Sequence, residues 1–221
     1  MADNLPELKI TSLLNGKYII LGAEYPPVEN PYAMGNCWFV DSFVPADTPD
    51  AEITLTGYAD LSKSAVIGKD FEDILSYTPD NADTSADHIF LTDYAPNQLR
   101  YTFSTASKRP AVFSEIYYPK GWKAWIEPAG SYGEVKNGHY IPTAEARELD
   151  LFRADWILRG AIIPEGEGDI VMRFEPDSYQ LSENISRASS ITLLLLLLLL
   201  LLLDALLAGL LLGIVGICFD N

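Results

Sequence analysis

The stretch HIFLTDYAPNQLRYTFSTASKRPAVFSEIYYPKGWKAWIE, residues 88–127, decides the fold. It consists of short runs rich in β-branched and aromatic residues, and Pro, Gly, Asn and Lys separate the runs. Two further runs of the same kind follow before residue 176. Six short strands with turn signals between them predict an antiparallel β-sandwich or a jelly-roll-like domain over residues 88–180. The predicted strands are Ile89–Tyr94, Leu99–Thr105, Ala111–Tyr117, Trp122–Glu127, Ala154–Pro164 and Asp169–Glu175.

The residues before this stretch mix helix and strand signals. Cys37–Phe43 and Ala65–Gly68 predict strands, whereas Thr48-Pro49 is typical of the start of a helix. The alternating Ile53–Thr56 favours a strand at the same place, and we predict the helix. The sequence thus predicts a small α/β subdomain over residues 1–80 and an acidic linker over residues 81–87. The fold class predicted for the chain is α+β, mainly β.

Two segments between the later strands are predicted not to be strands. Residues 128–149 interrupt the regular spacing and predict a loop excursion. Pro164–Gly168, with the sequence PEGEG, predicts a hairpin turn because Pro and Gly are typical of tight turns.

The C-terminal end has the composition of a membrane span. Ile191–Phe219 is almost entirely apolar and includes eleven consecutive leucines, Leu193–Leu203, with one charged residue, Asp204. A helix needs about 20 apolar residues to cross a hydrocarbon core of roughly 30 Å. The leucines alone roughly offset the cost of inserting Asp204, and the flanking apolar residues favour insertion. We predict a transmembrane helix over residues 191–217 after a juxtamembrane segment at residues 181–190.

The second half of the span carries a pattern of small residues. Ala205, Gly209 and Gly213 recur every four residues, so they share one face of a helix, and Asp204 lies beside that face. One interpretation is a packing surface for other transmembrane helices of the same or a partner protein, since an acidic group facing lipid is unfavourable. The alternative is that glycine is simply frequent in spans and Asp204 lies near the membrane interface.

Composition excludes several classes of function. The chain has 31 acidic and 15 basic residues and a net charge of −16, which disfavours binding to nucleic acid. The two cysteines, Cys37 and Cys218, predict no disulfide framework, and the two histidines, His88 and His139, lack metal-ligand spacing. No nucleophile elbow or phosphate-binding glycine loop is present. We therefore predict no catalytic residues, no metal and no cofactor.

The densest aromatic stretch is the candidate binding site. Exposed Trp and Tyr side chains stack on the apolar face of a sugar ring, while lysines reach its hydroxyls or a phosphate. The alternative is that Tyr117 and Trp122 belong to the core and that Trp125 packs against a neighbouring strand. Exposure of Tyr118, Trp122 and Trp125 around a groove separates the two interpretations. The candidate residues are Tyr117, Tyr118, Lys120, Trp122, Lys123 and Trp125.

Several stretches in this order resemble the C-terminal region of the YfhO-like family, which are bacterial membrane proteins with many spans. The most specific are AVFSEIYYPKGWKAWI and RADWILRGAIIPEGEGDIVMRFEP, residues 111–126 and 153–176. Family members commonly continue the first of these with Asp-Gly, whereas here Glu127-Pro128 opens a longer insertion. The other matching pieces are LLNGKYIIL (13–21), NPYAMGNCWFV (30–40), AVIGKDF (65–71), HIFLTDYAPNQLRY (88–101) and the terminal span.

The resemblance implies a role in the bacterial cell envelope. The family is similar to glycosyltransferases that use lipid-linked sugars, with catalytic acids in early loops that this chain lacks. By that resemblance, the chain is a single-pass accessory domain of the inner (cytoplasmic) membrane, with its large domain extracytoplasmic. It would support glycosylation of envelope polymers by binding or positioning glycan or lipid-linked sugar, without being an enzyme by itself. The alternative is a tail-anchored scaffold with a cytoplasmic, acidic protein-interaction domain.

Overall fold

The computed structural model describes residues 6–78, 82–136 and 138–219, and the chain divides into two compact units at residue 175. The structure confirms an α+β, mainly β fold with antiparallel sheets and one apolar C-terminal helix. The first unit contains helices α1 (Pro6–Leu13) and α2 (Pro49–Tyr58) and a 3-10 helix, Lys69–Ser76. Its strands are β1 (Tyr18–Ile19), β2 (Val28–Glu29), β3 (Cys37–Phe39), β4 (Ser42–Ala46), β5 (Ser64–Gly68), β6 (His88–Ala95), β7 (Gln98–Thr105), β8 (Arg109–Ile116), β9 (Trp122–Glu127), β10 (Glu134–Lys136), β11 (His139–Ile141), β12 (Arg147–Glu148), β13 (Leu151–Ala154), β14 (Leu158–Ile163) and β15 (Gly166–Phe174).

Two antiparallel sheets form the centre of this unit. Sheet 1 has the order β12-β9-β15-β7-β6, and sheet 2 has the order β13-β14-β8-β3. Strand β7 alternates strictly between buried and partly exposed residues, with Leu99, Tyr101 and Phe103 directed to the core. This two-residue period is what a strand with one buried face requires. The core cluster also contains Phe113 of sheet 2 and Ile170 of sheet 1.

The N-terminal region forms the predicted α/β elements. Strands β4 and β5 are parallel, and α2 lies between them in the chain, as in a βαβ unit. Helix α2 begins where the sequence predicted, because the Thr48 hydroxyl accepts a hydrogen bond from Ala51 N at 3.2 Å and Pro49 occupies the first turn. Every residue of Ser64–Gly68 is buried.

The single strand predicted over Cys37–Phe43 is wrong. Strand β3 pairs with β8 in sheet 2 and ends at Phe39, whereas β4 starts at Ser42 and pairs with β5. Between them, Val40 N donates to Pro110 O and Asp41 N donates to Lys63 O, so the chain changes hydrogen-bonding partner at this point. An N-terminal strand is therefore part of the sandwich. Separate folding of residues 1–80 and 88–180 about a linker at 81–87, of which residue 81 lies outside the described residues, stays a prediction.

The strand predicted over Ala154–Pro164 is also wrong, because the chain reverses inside it. Strands β13 and β14 form an antiparallel hairpin, and the turn holds Asp155 at φ 50° and Trp156 at φ 74°. Positive φ is uncommon for a tryptophan. Tertiary hydrogen bonds hold this turn, since Val66 N donates to Asp155 Oδ1 at 2.7 Å and Trp156 N donates to a Glu52 carboxylate oxygen at 3.2 Å. These partners are about 90 to 100 residues away, beyond the reach of a local pattern.

Two predictions about the connections need correction. Pro164–Gly168 is not a hairpin turn, because β14 lies in sheet 2 and β15 lies in sheet 1 between β9 and β7. The chain crosses between sheets there, and Gly166 adopts φ 114°. Residues 128–149 are not an unstructured loop, since they contain the β10–β11 hairpin and the short edge strand β12.

The second unit is a single helix, α3 (Asp177–Phe219). It contains one candidate membrane-spanning segment among the described residues, Leu181–Gly209, which includes the leucine run and the predicted juxtamembrane residues. Ala205, Gly209 and Gly213 lie in this continuous helix at four-residue intervals and thus on one face. Their role in packing against other helices, together with Asp204, stays a prediction.

Candidate functional site: an aromatic cleft at the edge of the sandwich

At one edge of the sandwich the chain passes directly from one sheet to the other. The edge strand β12 of sheet 1 is followed directly by the edge strand β13 of sheet 2, so Leu149-Asp150 crosses from one sheet to the other. On one side of this link lies a cleft of about 140 Å³, which we call the aromatic cleft. Its walls carry aromatic rings, two cations and two acids. They are Tyr117, Tyr118, Trp122, Lys123, Arg159, Glu148 and Asp150.

The start of β9 positions the aromatic wall. Gly121, at φ 111°, ends the turn before Trp122, a conformation that favours glycine. Trp122 lies directly opposite Phe174 on β15, and their ring centroids are 5.5 Å apart. Tyr118 approaches the same Phe174 ring at 6.2 Å. Phe174 therefore joins Tyr118 and Trp122 into one aromatic cluster.

A buried arginine supports Trp122 from one side. The Arg159 guanidinium carbon lies 4.1 Å from the centroid of the Trp122 ring, and the residue is only 1% exposed. Arg159 Nη2 donates to Ile116 O at 3.0 Å, while Nε has no hydrogen-bond partner among the described residues. Burial lowers the pKa of Arg159, and the nearby Glu115 opposes that shift. An arginine nevertheless stays charged in proteins, so a fixed cation occupies one face of the indole.

The structure brings four of the six predicted residues together. Tyr117, Tyr118, Trp122 and Lys123 all line the aromatic cleft. Tyr118 is 50% exposed, and Tyr117 and Trp122 are partly exposed. The exposure expected of a binding surface is therefore present for Tyr118, whereas Trp122 is only partly exposed and also packs against the core, as the alternative interpretation predicted. Lys120 is exposed in the preceding turn and does not line the cleft among its described residues.

Trp125 is not part of this cleft. It lies three residues after Trp122 in the same strand, so the two side chains point to opposite faces of sheet 1. Its ring centroid is 5.1 Å from that of Tyr140 in β11. Trp125 thus packs against the hairpin of the insertion, which was the alternative interpretation of this residue.

The hairpin is held on the outer face of sheet 1 by two buried carboxylates. Glu127 accepts hydrogen bonds from the Tyr140 hydroxyl at 2.7 Å and from Thr143 N at 3.1 Å. Glu175 accepts from Tyr140 N at 2.7 Å and from Arg173 Nε at 3.1 Å. Burial, with the Glu127 hydrogen bond, raises the pKa of Tyr140, so the phenol keeps its proton and remains a donor.

Potential metal ligands and the reactive thiol and imidazole groups were located among the described residues. No group of three or more His, Cys, Asp or Glu residues is placed to hold a metal ion in the described part of the chain. Cys37 is packed against the core, and burial raises the pKa of its thiol to about 12, which keeps it protonated. His139 Nδ1 lies 3.4 Å from Glu175 Oε2, and the side chain of His88 is exposed to solvent.

Sequence reasoning missed Phe174 and Arg159. Phe174 ends the run Ile170, Met172, Phe174, whose alternate spacing was a usable signal that it shares the core-facing side with Trp122. Arg159 carried no such signal, because its neighbours in the cleft come from other strands. Comparisons of the chain with protein-family models, with curated proteins and with solved structures found no match.

Proposed function

We propose that this chain is a membrane-anchored accessory domain that binds or positions a glycan in the aromatic cleft. The observation that carries this proposal is the cluster of Tyr118, Phe174 and Trp122, which is open to solvent at Tyr118 and has charged groups around it. The apolar candidate span Leu181–Gly209 supports anchoring. The motifs shared with the YfhO-like family support placing the domain outside the inner membrane of a bacterium.

The chemistry of the cleft suits a sugar. Aromatic rings pack against the C–H face of a pyranose, and carboxylates accept hydrogen bonds from its hydroxyls. Asp150 in the link supplies such an acceptor, whereas Lys123 and Glu148 border the cleft at strand positions that share the outer face of sheet 1 with Trp125. At about 140 Å³ the cleft is smaller than the roughly 300–1,000 Å³ of drug-sized ligand sites. It therefore suits one sugar ring, such as the end of a chain or the sugar of a lipid-linked donor.

Binding is proposed rather than bond cleavage because of where the carboxylates lie. Glu148 and Asp150 are both exposed to solvent. A glycosidase instead needs one carboxyl group in an apolar environment that keeps it protonated as the general acid. The aromatic cleft provides acceptors for hydroxyls without that asymmetry between its two acids.

Replacing Tyr118 by alanine tests the site. The full-length chain in nanodiscs is screened against an array of mono- and oligosaccharides, and the binding constant of the best saccharide is then measured. Losing one exposed stacking ring is expected to weaken binding roughly two- to tenfold. Tyr94→Ala is the matched control, because Tyr94 is 64% exposed on β6 and does not line the cleft. The site is refuted if no saccharide binds, or if both variants bind as the native chain does.

Protease accessibility tests the proposed orientation. In spheroplasts of cells expressing the full-length chain, external protease is expected to degrade residues 1–175 while a cytoplasmic marker stays intact. Protection of the folded unit until the cells are lysed would contradict an extracytoplasmic domain and favour the cytoplasmic scaffold. Degradation from outside would eliminate that scaffold.

A further inference from the structure

A second and larger opening lies on the other side of the link that bounds the aromatic cleft. Its volume is about 520 Å³, within the range of roughly 300–1,000 Å³ that is typical of ligand sites. We call it the apolar cleft. Most of its lining is aliphatic or aromatic, from the 3-10 helix, the link and both sheets. The principal residues are Phe71, Ile74, Leu149, Leu151, Phe152 and Ile162.

The apolar cleft exists because the sandwich is incompletely covered at this edge. Strand β12 is only two residues long, so it covers little of β9. Leu149 and Phe152 are almost fully buried and form the floor. Phe71, Ile74 and Ile162 are partly exposed and form the walls. The opening therefore lies along the β13 edge of sheet 2, where Leu149 belongs to the core between the sheets and Phe152 to the second core cluster on the other face of sheet 2.

Two cations stand at this opening without acidic partners. Arg147 lies opposite Ile126 in the β12–β9 register, so the two residues share the face directed between the sheets. Lys108 lines the same opening from the connection between β7 and β8. Among the described residues, neither side chain has an acidic oxygen within 4 Å, whereas Arg100, Arg109 and Arg153 all form ion pairs.

Two acids also line the apolar cleft, and their placement limits the ligand. Glu148 lies opposite Trp125 in the register, so it shares the outer face of sheet 1 with Trp125 rather than the inner face with Arg147. Asp150 is exposed in the link. The negative charges of Glu148 and Asp150 repel an anionic head group. This repulsion is stronger for a doubly charged head group than for a singly charged one.

We propose that the apolar cleft binds a long-chain fatty acid, with its hydrocarbon chain along the apolar residues at the β13 edge of sheet 2 and its carboxylate at Arg147 and Lys108. Guanidinium groups bind carboxylates through two parallel hydrogen bonds, and each methylene removed from water adds affinity. A fatty-acid carboxylate carries a single negative charge. It can pair with Arg147 and Lys108 while the repulsion from the nearby Glu148 and Asp150 stays small. A chain anchored in a bilayer is also close to a source of such molecules.

Photo-crosslinking tests this proposal on the full-length chain in phosphatidylcholine nanodiscs. The probes are a diazirine-bearing palmitic acid and the matching diazirine-bearing hexadecanol, and labelled peptides are identified by mass spectrometry. The acid is expected to label peptides that contain residues 71–74 and 149–152, several-fold more than the alcohol does. The double variant Lys108→Gln, Arg147→Gln is expected to reduce labelling by the acid about tenfold, through loss of both charge-assisted contacts. Labelling of α3 measures the amount of probe in the bilayer.

Two controls keep the result specific. Lys63→Gln and Lys120→Gln remove exposed lysines outside the cleft and are expected to leave labelling unchanged. Ile162→Trp fills the opening and is expected to abolish labelling of the cleft by the acid. Saccharide binding that depends on Tyr118 is expected to persist in this variant. A cooperative thermal unfolding transition confirms that the variant folds. The proposal is overturned if acid and alcohol label the cleft equally, if labelling is confined to α3, or if the double variant labels like the native chain.

Discussion

Replacing Asp155 by asparagine is expected to raise the free energy of unfolding of the sandwich at pH 8 by up to roughly 4 kcal/mol. Asp155 is 1% exposed, and burial raises its pKa from the ordinary 3.8 to about 7. The hydrogen bond from Val66 N opposes this rise, and the nearby charge of Glu52 adds to it. Each unit of pKa difference between the folded and unfolded states corresponds to about 1.4 kcal/mol. Asparagine keeps the oxygen that accepts from Val66 N and removes the ionisation.

The direction of the Asp155 pKa shift defines the pH range in which the Asp155→Asn variant is more stable than the native chain. Below about pH 3.8 Asp155 is protonated in both states, and its ionisation does not affect stability. Between that pH and about 7 the unfolded chain loses the proton while the folded chain keeps it, so the native protein becomes less stable as pH rises. Above about pH 7 the penalty is complete. The advantage of Asp155→Asn should therefore be near zero at pH 4 and reach its maximum at pH 8.

Urea unfolding of the full-length chain in nanodiscs, followed by tryptophan fluorescence at several pH values, measures this difference. All four tryptophans lie before residue 176, so the signal reports the first unit. Asp73→Asn is the matched control, since Asp73 is exposed in the 3-10 helix. Equal pH dependence in the Asp155→Asn variant and the native chain would show that the pKa of Asp155 is the same in the folded and unfolded states.

The turn at Asp155 also shows where sequence patterns stop predicting this fold. Four strands of sheet 1, β6, β7, β9 and β15, follow from local runs of β-branched and aromatic residues, and β7 also alternates without interruption between buried and partly exposed residues. The reversal at Asp155-Trp156 depends on contacts with Val66 and Glu52, which are distant in the chain. Residues from Ala154 to Pro164 are mostly apolar or aromatic and resemble one strand despite the charged Asp155 and Arg159. A local pattern cannot distinguish a long buried strand from two short ones joined by such a turn.

The candidate site was predictable in part for the same reason. Aromatic density identified Tyr118 and Trp122, and strand periodicity alone suffices to separate Trp122 from Trp125 onto opposite faces. Phe174 contacts the Tyr118 and Trp122 rings through the pairing of β15 with β9, and Arg159 reaches the cleft through the packing of sheet 2 on sheet 1. Which strands become neighbours was not fixed by local residue patterns. Local sequence patterns therefore predicted the exposed rings of the cleft but not the residues that support them.

The β10–β11 hairpin after β9 depends on one buried side chain. Replacing Glu127 by alanine is expected to lower the free energy of unfolding by about 3–5 kcal/mol, because several donors lose their acceptor in a buried site. Glu127 is fully buried, and it accepts from the Tyr140 hydroxyl, from Thr143 N and from the Thr143 hydroxyl. An unpaired buried donor costs about 1–3 kcal/mol, and costs at neighbouring donors are not additive.

The Glu127→Ala substitution should loosen the β10–β11 hairpin in addition to lowering the stability of the whole unit. Hydrogen exchange of the full-length chain is expected to accelerate most over residues 138–143, where Tyr140 covers Trp125 on the outer face of sheet 1. Glu134→Ala is the matched control, because Glu134 lies on the same hairpin and pairs with Lys136 at the surface, where an ion pair contributes only about 0–1 kcal/mol. If the Glu127→Ala and Glu134→Ala variants show the same hydrogen-exchange rates over residues 138–143, packing of Tyr140 on Trp125 is sufficient to hold the hairpin without Glu127. If only the Glu127→Ala variant exchanges faster there, the Glu127 carboxylate holds the hairpin in place.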